Sequence, residues 1–356
     1  MIDTMYAYTM TAVDHPLEKH TMPVSPLEHG EALVEIAGCG VCHTDLSFWH
    51  YGVPTRQTLP LVLGHEISGI VLDGPVELKG KPVIVPAVLP CGECDLCEQD
   101  RGNICQHQKM PGNDFNGGFA SHIVVPSRYL IPVPSEVLQT HSLAELSVIA
   151  DAISTPYQSI VKSKLKADDF AIVIGVGGVG IYAAQIAQTL GATVVAVDIS
   201  QKRLDLLSEV GIRNIVNSNG LTIKETKQKI KEINQQTDSP NVGWKIFEIS
   251  GTKAGQELAF ALLGVAGTLS IVGFTMEKLE VRLSNLMAFD AQVIGTWGCK
   301  PELYNDVLHM VGRGDIQLKP FTEIQPMSAI NHIFQNVLEH KMSKRTVLVP
   351  DFKSNE

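Results

Sequence analysis

Four cysteines, Cys91, Cys94, Cys97 and Cys105, follow a C-x2-C-x2-C-x7-C spacing within fifteen residues. Thiolates spaced in this way, in a loop rich in Gly, Asp and Glu, can wrap one tetrahedral zinc ion. A ferredoxin-type iron–sulfur run has a shorter last gap with Pro behind it; here that gap is seven residues and Gln106 follows. Disulfide pairing fits less well. The chain has seven Cys, an odd number, and Met1-Ile2-Asp3-Thr4 shows neither region of a secretory leader. The expectation is a structural zinc lobe over about residues 91–105, in a chain of the cytoplasm.

A second group lies upstream, in Cys39-Gly40-Val41-Cys42-His43-Thr44-Asp45 and Gly64-His65-Glu66. Catalytic zinc sites use three protein ligands and keep a fourth position open. Cys42 and His65 supply two such ligands, and Asp45 is spaced to hold the His65 imidazole from behind. Taken alone, the same pair also reads as a small buried thiol and a loop histidine.

The elements that must position these residues fall into two rhythms. Up to about residue 150, short apolar runs (32–37, 67–72, 82–88, 122–125) alternate with Gly, Pro and Asp, as in a partly open β-barrel. From about 156, strands at 171–174, 193–197, 214–217, 245–249, 268–272 and 292–296 alternate with helices. This is the pattern of a parallel sheet with crossovers. Ser154-Thr155-Pro156 reads as a helix N-cap marking the boundary. Past Trp297, helices are expected at 302–312 and 329–339 and a closing strand at 346–349. The charge-rich stretch 224–231 reads as a solvated helix face.

Between the strand at 171–174 and the helix at 181–190 lies Gly175-Val176-Gly177-Gly178-Val179-Gly180. In a G-x-G-x-x-G turn the first Gly makes the tight bend, the second admits a pyrophosphate and the third lets helix and sheet pack closely. Asp198 ends the next strand at the distance expected of a ribose acceptor, which favours NAD; Lys202 and Arg203 keep NADP open. The chain has 356 residues, 44% hydrophobic and 19% charged, enough for two cores. A net charge of −10 argues against nucleic acid or an anionic membrane as the main partner.

Together, Gly40–Asp45, Gly64–Glu66, the four-Cys lobe, Gly117-Gly118-Phe119-Ala120, Gly175–Gly180 and Asp198 resemble the zinc-dependent alcohol dehydrogenases of the medium-chain superfamily, over nearly the whole chain. The resemblance implies an α/β fold: a GroES-like catalytic domain (1–154 and 297–356) interrupted by a Rossmann domain (155–296). It also implies NAD and two zinc ions per chain, one catalytic and one structural. The family's third catalytic ligand, often Cys, falls on Asp151, a harder donor of the same charge. The relay position often held by His is Ser47, and Lys79-Gly80-Lys81-Pro82 replaces the usual Gly-Asp-x-Val turn. The intact ligand set argues against a zinc-free reductase or a non-catalytic nucleotide-binding protein.

By the same resemblance, Thr44 takes the substrate proton, with Ser47 a weaker next step, and Glu66 lies behind the metal. Val272, Gly273 and Phe274 contact the carboxamide of the cofactor. Phe48, Trp49, Tyr51 and Trp297 read equally as pocket walls or core. A narrower resemblance, carried by residues 85–91, 108–113 and 150–152, is to the 6-hydroxycyclohex-1-ene-1-carbonyl-CoA dehydrogenases. It implies an acyl-CoA thioester as substrate, with Lys300 a candidate contact for the CoA arm. The alternative is a general secondary-alcohol dehydrogenase acting on small free alcohols. A homo-oligomer, dimer or tetramer, is expected.

Overall fold

A computed structural model describes residues 2–352; Met1 and residues 353–356, the ends of the expected 1–154 and 297–356 segments, lie outside the described residues. The chain divides into two compact units. One comprises Met1–Ser154, Gly298–Gly312 and Thr322–Glu356, the other Thr155–Trp297 and Arg313–Phe321.

The first unit is built on a seven-stranded sheet. Its path runs Thr322–Pro326, Arg345–Val349, Glu31–Gly40, Glu66–Asp73, Pro82–Val85 and Ile131–Pro132, with His122–Pro126 also pairing to Glu31–Gly40. All pairs are antiparallel except Thr322–Pro326 with Arg345–Val349. A separate three-stranded sheet joins Glu18–Pro23, Thr4–Met10 and Leu61–Val62. Apolar side chains from these strands, such as Val34 and Ile67, make one core with Leu63, Phe119 and Phe334 from outside them, all five fully buried. Phe119 meets Phe334 edge-on, with ring centroids 5.6 Å apart.

The ladder of Glu31–Gly40 slips between Ile36 and Gly38, just before the strand delivers Cys42. Bulges bend a strand and re-aim the residues beyond the bend. At Gly38 no side chain fits, because a Cβ would stand 2.8 Å from the Cα of Ala144. The run at 82–88 stops as a strand at Val85; beyond Pro86, the Ala87 N–H turns to the carbonyl of Ala150 at 3.3 Å instead.

The second unit holds a six-stranded parallel sheet, ordered Asn214–Asn217, Thr193–Asp198, Phe170–Ile174, Lys245–Glu248, Thr268–Ile271, Gln292–Gly295. Numbered along this unit, the order is 3-2-1-4-5-6, the doubly wound arrangement that binds dinucleotides at the reversal point. The continuous apolar run of Phe170–Ile174 is buried along its whole length, as a central strand covered on both faces requires.

Two boundaries differ from the sequence reading. Arg313–Phe321 belongs to the second unit, because Gln185 brackets Gln317: its Oε1 accepts from the Gln317 N–H at 2.8 Å and its Nε2 donates to the Gln317 carbonyl at 3.4 Å. Ser154 is not a cap but the first residue of the helix Ser154–Ser163, and its hydroxyl donates back to the Ala150 carbonyl at 3.2 Å. No helix among the described residues is long and apolar enough to cross a membrane.

Phe119→Ala empties the centre of the first core. It should lower stability by about 3–5 kcal/mol, read as an earlier urea midpoint by fluorescence; an unchanged midpoint would contradict this packing.

Candidate active site

The four thiols of the lobe converge. Sulfur–sulfur distances are 3.4 Å for Cys91–Cys105, 3.6 Å for Cys94–Cys97 and Cys94–Cys105, and 4.0 Å for Cys91–Cys97. Tetrahedral zinc bonded at ~2.3 Å holds its sulfurs about 3.8 Å apart, whereas a disulfide needs ~2.05 Å. All seven cysteines are free thiols. Backbone N–H groups of Cys91 and His107 point at the Cys105 sulfur, 3.3 and 3.2 Å away. The Cys94 thiol is lowered to about 6 by the backbone N–H groups of Cys97 and Gln106, while burial pushes Cys105 up to about 12. A cation resolves that conflict by stabilising every thiolate at once. Gly92 keeps the turn open at φ +81°, since a Cβ there would strike the Arg128 guanidinium.

The second cluster gathers Cys42, His65, Glu66 and Asp151, with one donor atom of each within 4.8 Å of the others. Cys42 Sγ lies 3.9 Å from Asp151 Oδ2, and His65 Nε2 lies 3.7 Å from the same oxygen. These separations suit three ligands of one small tetrahedral ion. Cys42, His65 and Glu66 are buried, while the Asp151 side chain is 17% exposed; the cluster therefore has an open side.

Asp45 organises the two ligand segments. It stands in the first turn of the short helix His43–Trp49 and is fully buried. Its Oδ2 accepts from the Cys42 N–H at 3.0 Å, and its Oδ1 accepts from the Gly64 N–H at 3.1 Å and faces His65 Nδ1 at 3.3 Å. That leaves His65 Nε2 directed at the cluster. Burial opposes an imidazolium at His65, but the Asp45 charge, with Asp151 and Cys42 hydrogen bonds, holds its pKa well above the ordinary value. The pocket thus attracts positive charge, which a metal ion supplies without the proton.

Glu66 is also fully buried. Arg345 Nε donates to its Oε2 at 2.8 Å and Nη2 donates to Oε1. Burial raises the Glu66 carboxyl to about 7 against the pull of Arg345. Gly40 leaves space for it, because a Cβ there would lie 2.1 Å from Glu66 Oε2. Arg345 was missed in the sequence, where its signal was a cation opening the apolar strand Arg345–Val349.

Thr44 Oγ1 is 3.8 Å from the Cys42 sulfur, beside the cluster. The Ser47 hydroxyl donates to the His43 carbonyl at 3.0 Å. Phe48 and Trp49 are buried in the first unit's core, so they serve packing rather than a pocket wall. Lys300 is drawn to the four-cysteine lobe, with its Nζ 2.5 Å from Asp100 Oδ2, and is not a free cation for a CoA arm. Tyr51 and Trp297 are 56% and 49% exposed.

At the strand ends of the second unit, Gly175 bends at φ +84°, and a Cβ there would lie 2.5 Å from Ser250 Cα. A Cβ on Gly180 would meet the Gly175 carbonyl at 1.8 Å, so only glycine lets the helix Gly180–Thr189 start there. Gly177 faces open space bounded by Arg203 Nη1 at 4.0 Å, which suits approach of a pyrophosphate. Gly178 and Val179 complete the turn, and the Val179 carbonyl accepts from Ala183 N–H at 3.1 Å. Asp198 folds back on this loop: Oδ2 accepts from Val176 N–H and Oδ1 from Ser200 N–H, both at 2.8 Å. Each oxygen keeps a lone pair for a ribose hydroxyl. Arg203 lies 3.8 Å from Asp198 Oδ1, and Lys202 is exposed.

Glu248 was also missed. Its carbonyl accepts from Val272 and Gly273 N–H at 2.9 and 3.0 Å. Its fully buried carboxyl accepts from Ser250 and Gly251 N–H at 2.9 and 3.2 Å. The residue joins the two loops on either side of it and leaves Phe274 65% exposed.

Removal of Arg345 should leave the buried Glu66 carboxyl without its two hydrogen-bond donors. Arg345→Ala is expected to cost about 3–5 kcal/mol at neutral pH, measured by chemical denaturation; a loss below ~1 kcal/mol would show that the pair carries little of the stability.

Comparison with known proteins agrees with this geometry. Residues 28–135 match the profile of the alcohol dehydrogenase GroES-like domain, and residues 178–313 that of the zinc-binding dehydrogenases. An alcohol dehydrogenase of Geobacillus stearothermophilus is 30% identical over 90% of this chain and 92% of its own. D-arabinose 1-dehydrogenase (NADP(+)) of Saccharolobus solfataricus is 30% identical over 94% and 95%. The structure of acetophenone reductase from Geotrichum candidum, in complex with NAD, superposes with a TM-score of 0.84 at 25% identity, covering 98% of each chain. The donor cluster around Cys42 and the nucleotide-type sheet thus occur in a chain that belongs to the medium-chain zinc-dependent alcohol dehydrogenase superfamily.

Proposed function

We propose that this dehydrogenase oxidises a secondary alcohol to a ketone with NAD as hydride acceptor, using one catalytic and one structural zinc. The observation that carries the reading is the cluster of Cys42, His65 and Asp151, open to solvent on the Asp151 side. Thiolate and carboxylate charges balance a divalent cation there, and Asp45 fixes the neutral imidazole in its ligating tautomer. When bound, zinc lowers the pKa of an alcohol hydroxyl and the nicotinamide accepts hydride. Thr44 accepts the alcohol proton as it gives its own hydroxyl proton onward through the nicotinamide ribose. The Ser47 hydroxyl donates to the His43 carbonyl and would have to break that bond to relay a proton, so it is the weaker candidate for the next step. Glu66, held by Arg345, supports the ligand loop from behind.

For the substrate, we propose 6-hydroxycyclohex-1-ene-1-carbonyl-CoA, oxidised to the 6-oxo thioester in anaerobic benzoyl-CoA breakdown. The support is the sequence resemblance of residues 85–91, 108–113 and 150–152. The general secondary-alcohol reading draws on relatives named for alcohols and for D-arabinose. The exposed edge strand Gln292–Gly295, with Val293 41% exposed, supports a homo-oligomer.

Metal analysis of the purified protein should give two zincs per chain. Cys94→Ser should lose one with a large drop in Tm, and Asp151→Ala should lose the other with the fold kept and turnover abolished. Full turnover in Asp151→Ala would remove that residue from the site. In kinetics, kcat/KM should be larger with NAD than with NADP, and Asp198→Ala should narrow the gap; the reverse ranking assigns Arg203 and Lys202 to a 2′-phosphate. Binding energy from a remote CoA arm positions the reacting carbon, so truncating the thioester to its N-acetylcysteamine form should lower kcat as well as raise KM. Equal kcat/KM for simple cyclic alcohols would leave the general dehydrogenase.

A further inference from the structure

Tyr304 lies outside every motif that marks the metal and nucleotide sites, yet it touches the backbone that carries a proposed metal ligand. It opens the helix Tyr304–Gly312 and is fully buried. Its hydroxyl donates to the carbonyl oxygen of Ala150 at 2.5 Å. Two more donors converge on that oxygen, Ser154 Oγ at 3.2 Å and the Ala87 N–H at 3.3 Å. Core packing alone would be served as well by Phe; the hydroxyl is what singles this oxygen out.

Ala150 ends the 3-10 turn Glu145–Ala150, and Asp151 comes next with φ −144° and ψ −55°. These angles lie outside the helix and strand regions, so no regular ladder fixes the Asp151 backbone. The Ala150–Asp151 peptide unit is planar. Anchoring its oxygen therefore orients the whole plane, including the bond to the Asp151 Cα. The Asp side chain is short, so that orientation decides where its carboxylate stands relative to Cys42 Sγ and His65 Nε2, 3.9 and 3.7 Å from Oδ2.

We infer that Tyr304, assisted by Ser154, is a positioning residue for Asp151: its hydroxyl clamps the Ala150 carbonyl and so presents the Asp151 carboxylate to the catalytic cation. The inference rests on the reading of Asp151 as a metal ligand. Partners that orient ligands without touching the metal are worth about 10–100-fold in metal affinity or activity.

The test is competition between full-length protein and a zinc chelator, with the two zincs followed separately. Tyr304→Phe keeps the ring and removes only the hydroxyl. It should release the catalytic zinc about 10–100-fold more readily, while the four-cysteine zinc is held as in wild type and the KM for NAD is unchanged. Ser154→Ala should shift the same zinc in the same direction by less, and it decides the question if Tyr304→Phe fails to fold. Wild-type affinity for the catalytic zinc in the folded variant, or an equal loss of both zincs, overturns the inference. Asp151→Asn is the separate control. If it retains the catalytic zinc at wild-type affinity, the ligand reading itself has failed, whatever Tyr304 does.

Discussion

Ionisable donors taken out of water must be compensated, and around Cys42 that requirement governs the first unit. Asp45 and Glu66 are fully buried, His65 is 1% exposed and Cys42 7%. Desolvating a carboxylate costs several kcal/mol unless hydrogen bonds or a counter-charge restore what water supplied. Arg345 settles Glu66, and the N–H groups of Cys42 and Gly64 settle much of Asp45. What remains is the Cys42 sulfur and the Asp151 carboxyl beside the His65 imidazole. Such a donor set could hold a metal ion.

The surrounding architecture answers that constraint. A bulged strand brings in the Cys42 segment, and glycine at 40 and 64 gives the space that the Glu66 carboxylate and the Cys39 sulfur occupy. The closing strand returns Arg345 to a partner 279 residues away in sequence. The second unit meets a different demand, the close approach of an anion to backbone, with glycines at 175, 177 and 180 and with loops tied by Asp198 and Glu248. Each unit places its chemistry where strands end, so that a rigid sheet sets the geometry and irregular backbone presents the ligands.

The parts of this arrangement written in local spacing were legible in the sequence. Thiols separated by two residues, a glycine turn between an apolar strand and a helix, and a run of strands alternating with helices each report on a few neighbouring residues. The superfamily and its fold could be read from them. Long-range partners could not. Arg345, Glu248 and Tyr304 look like an edge cation, a strand end and a core aromatic until the chain is folded. Lys300 looked free because its partner Asp100 lies 200 residues earlier. Phe48 stood at a position that periodicity gives equally to core or pocket. The stretch 313–321 was assigned by sequence continuity, whereas Gln185 holds it in the second unit.

The central claim is that Cys42, His65 and Asp151 form a one-sulfur, one-nitrogen, one-oxygen metal site distinct from the four-thiolate lobe. Cobalt(II) substitution with visible absorption tests it most directly, because d–d and thiolate-to-metal bands report coordination number and sulfur count. The account predicts two tetrahedral cobalt sites: one with intense four-thiolate charge transfer, the other with weak one-thiolate charge transfer that is lost in Cys42→Ser. A spectrum showing only the four-thiolate site at full cobalt loading would contradict it.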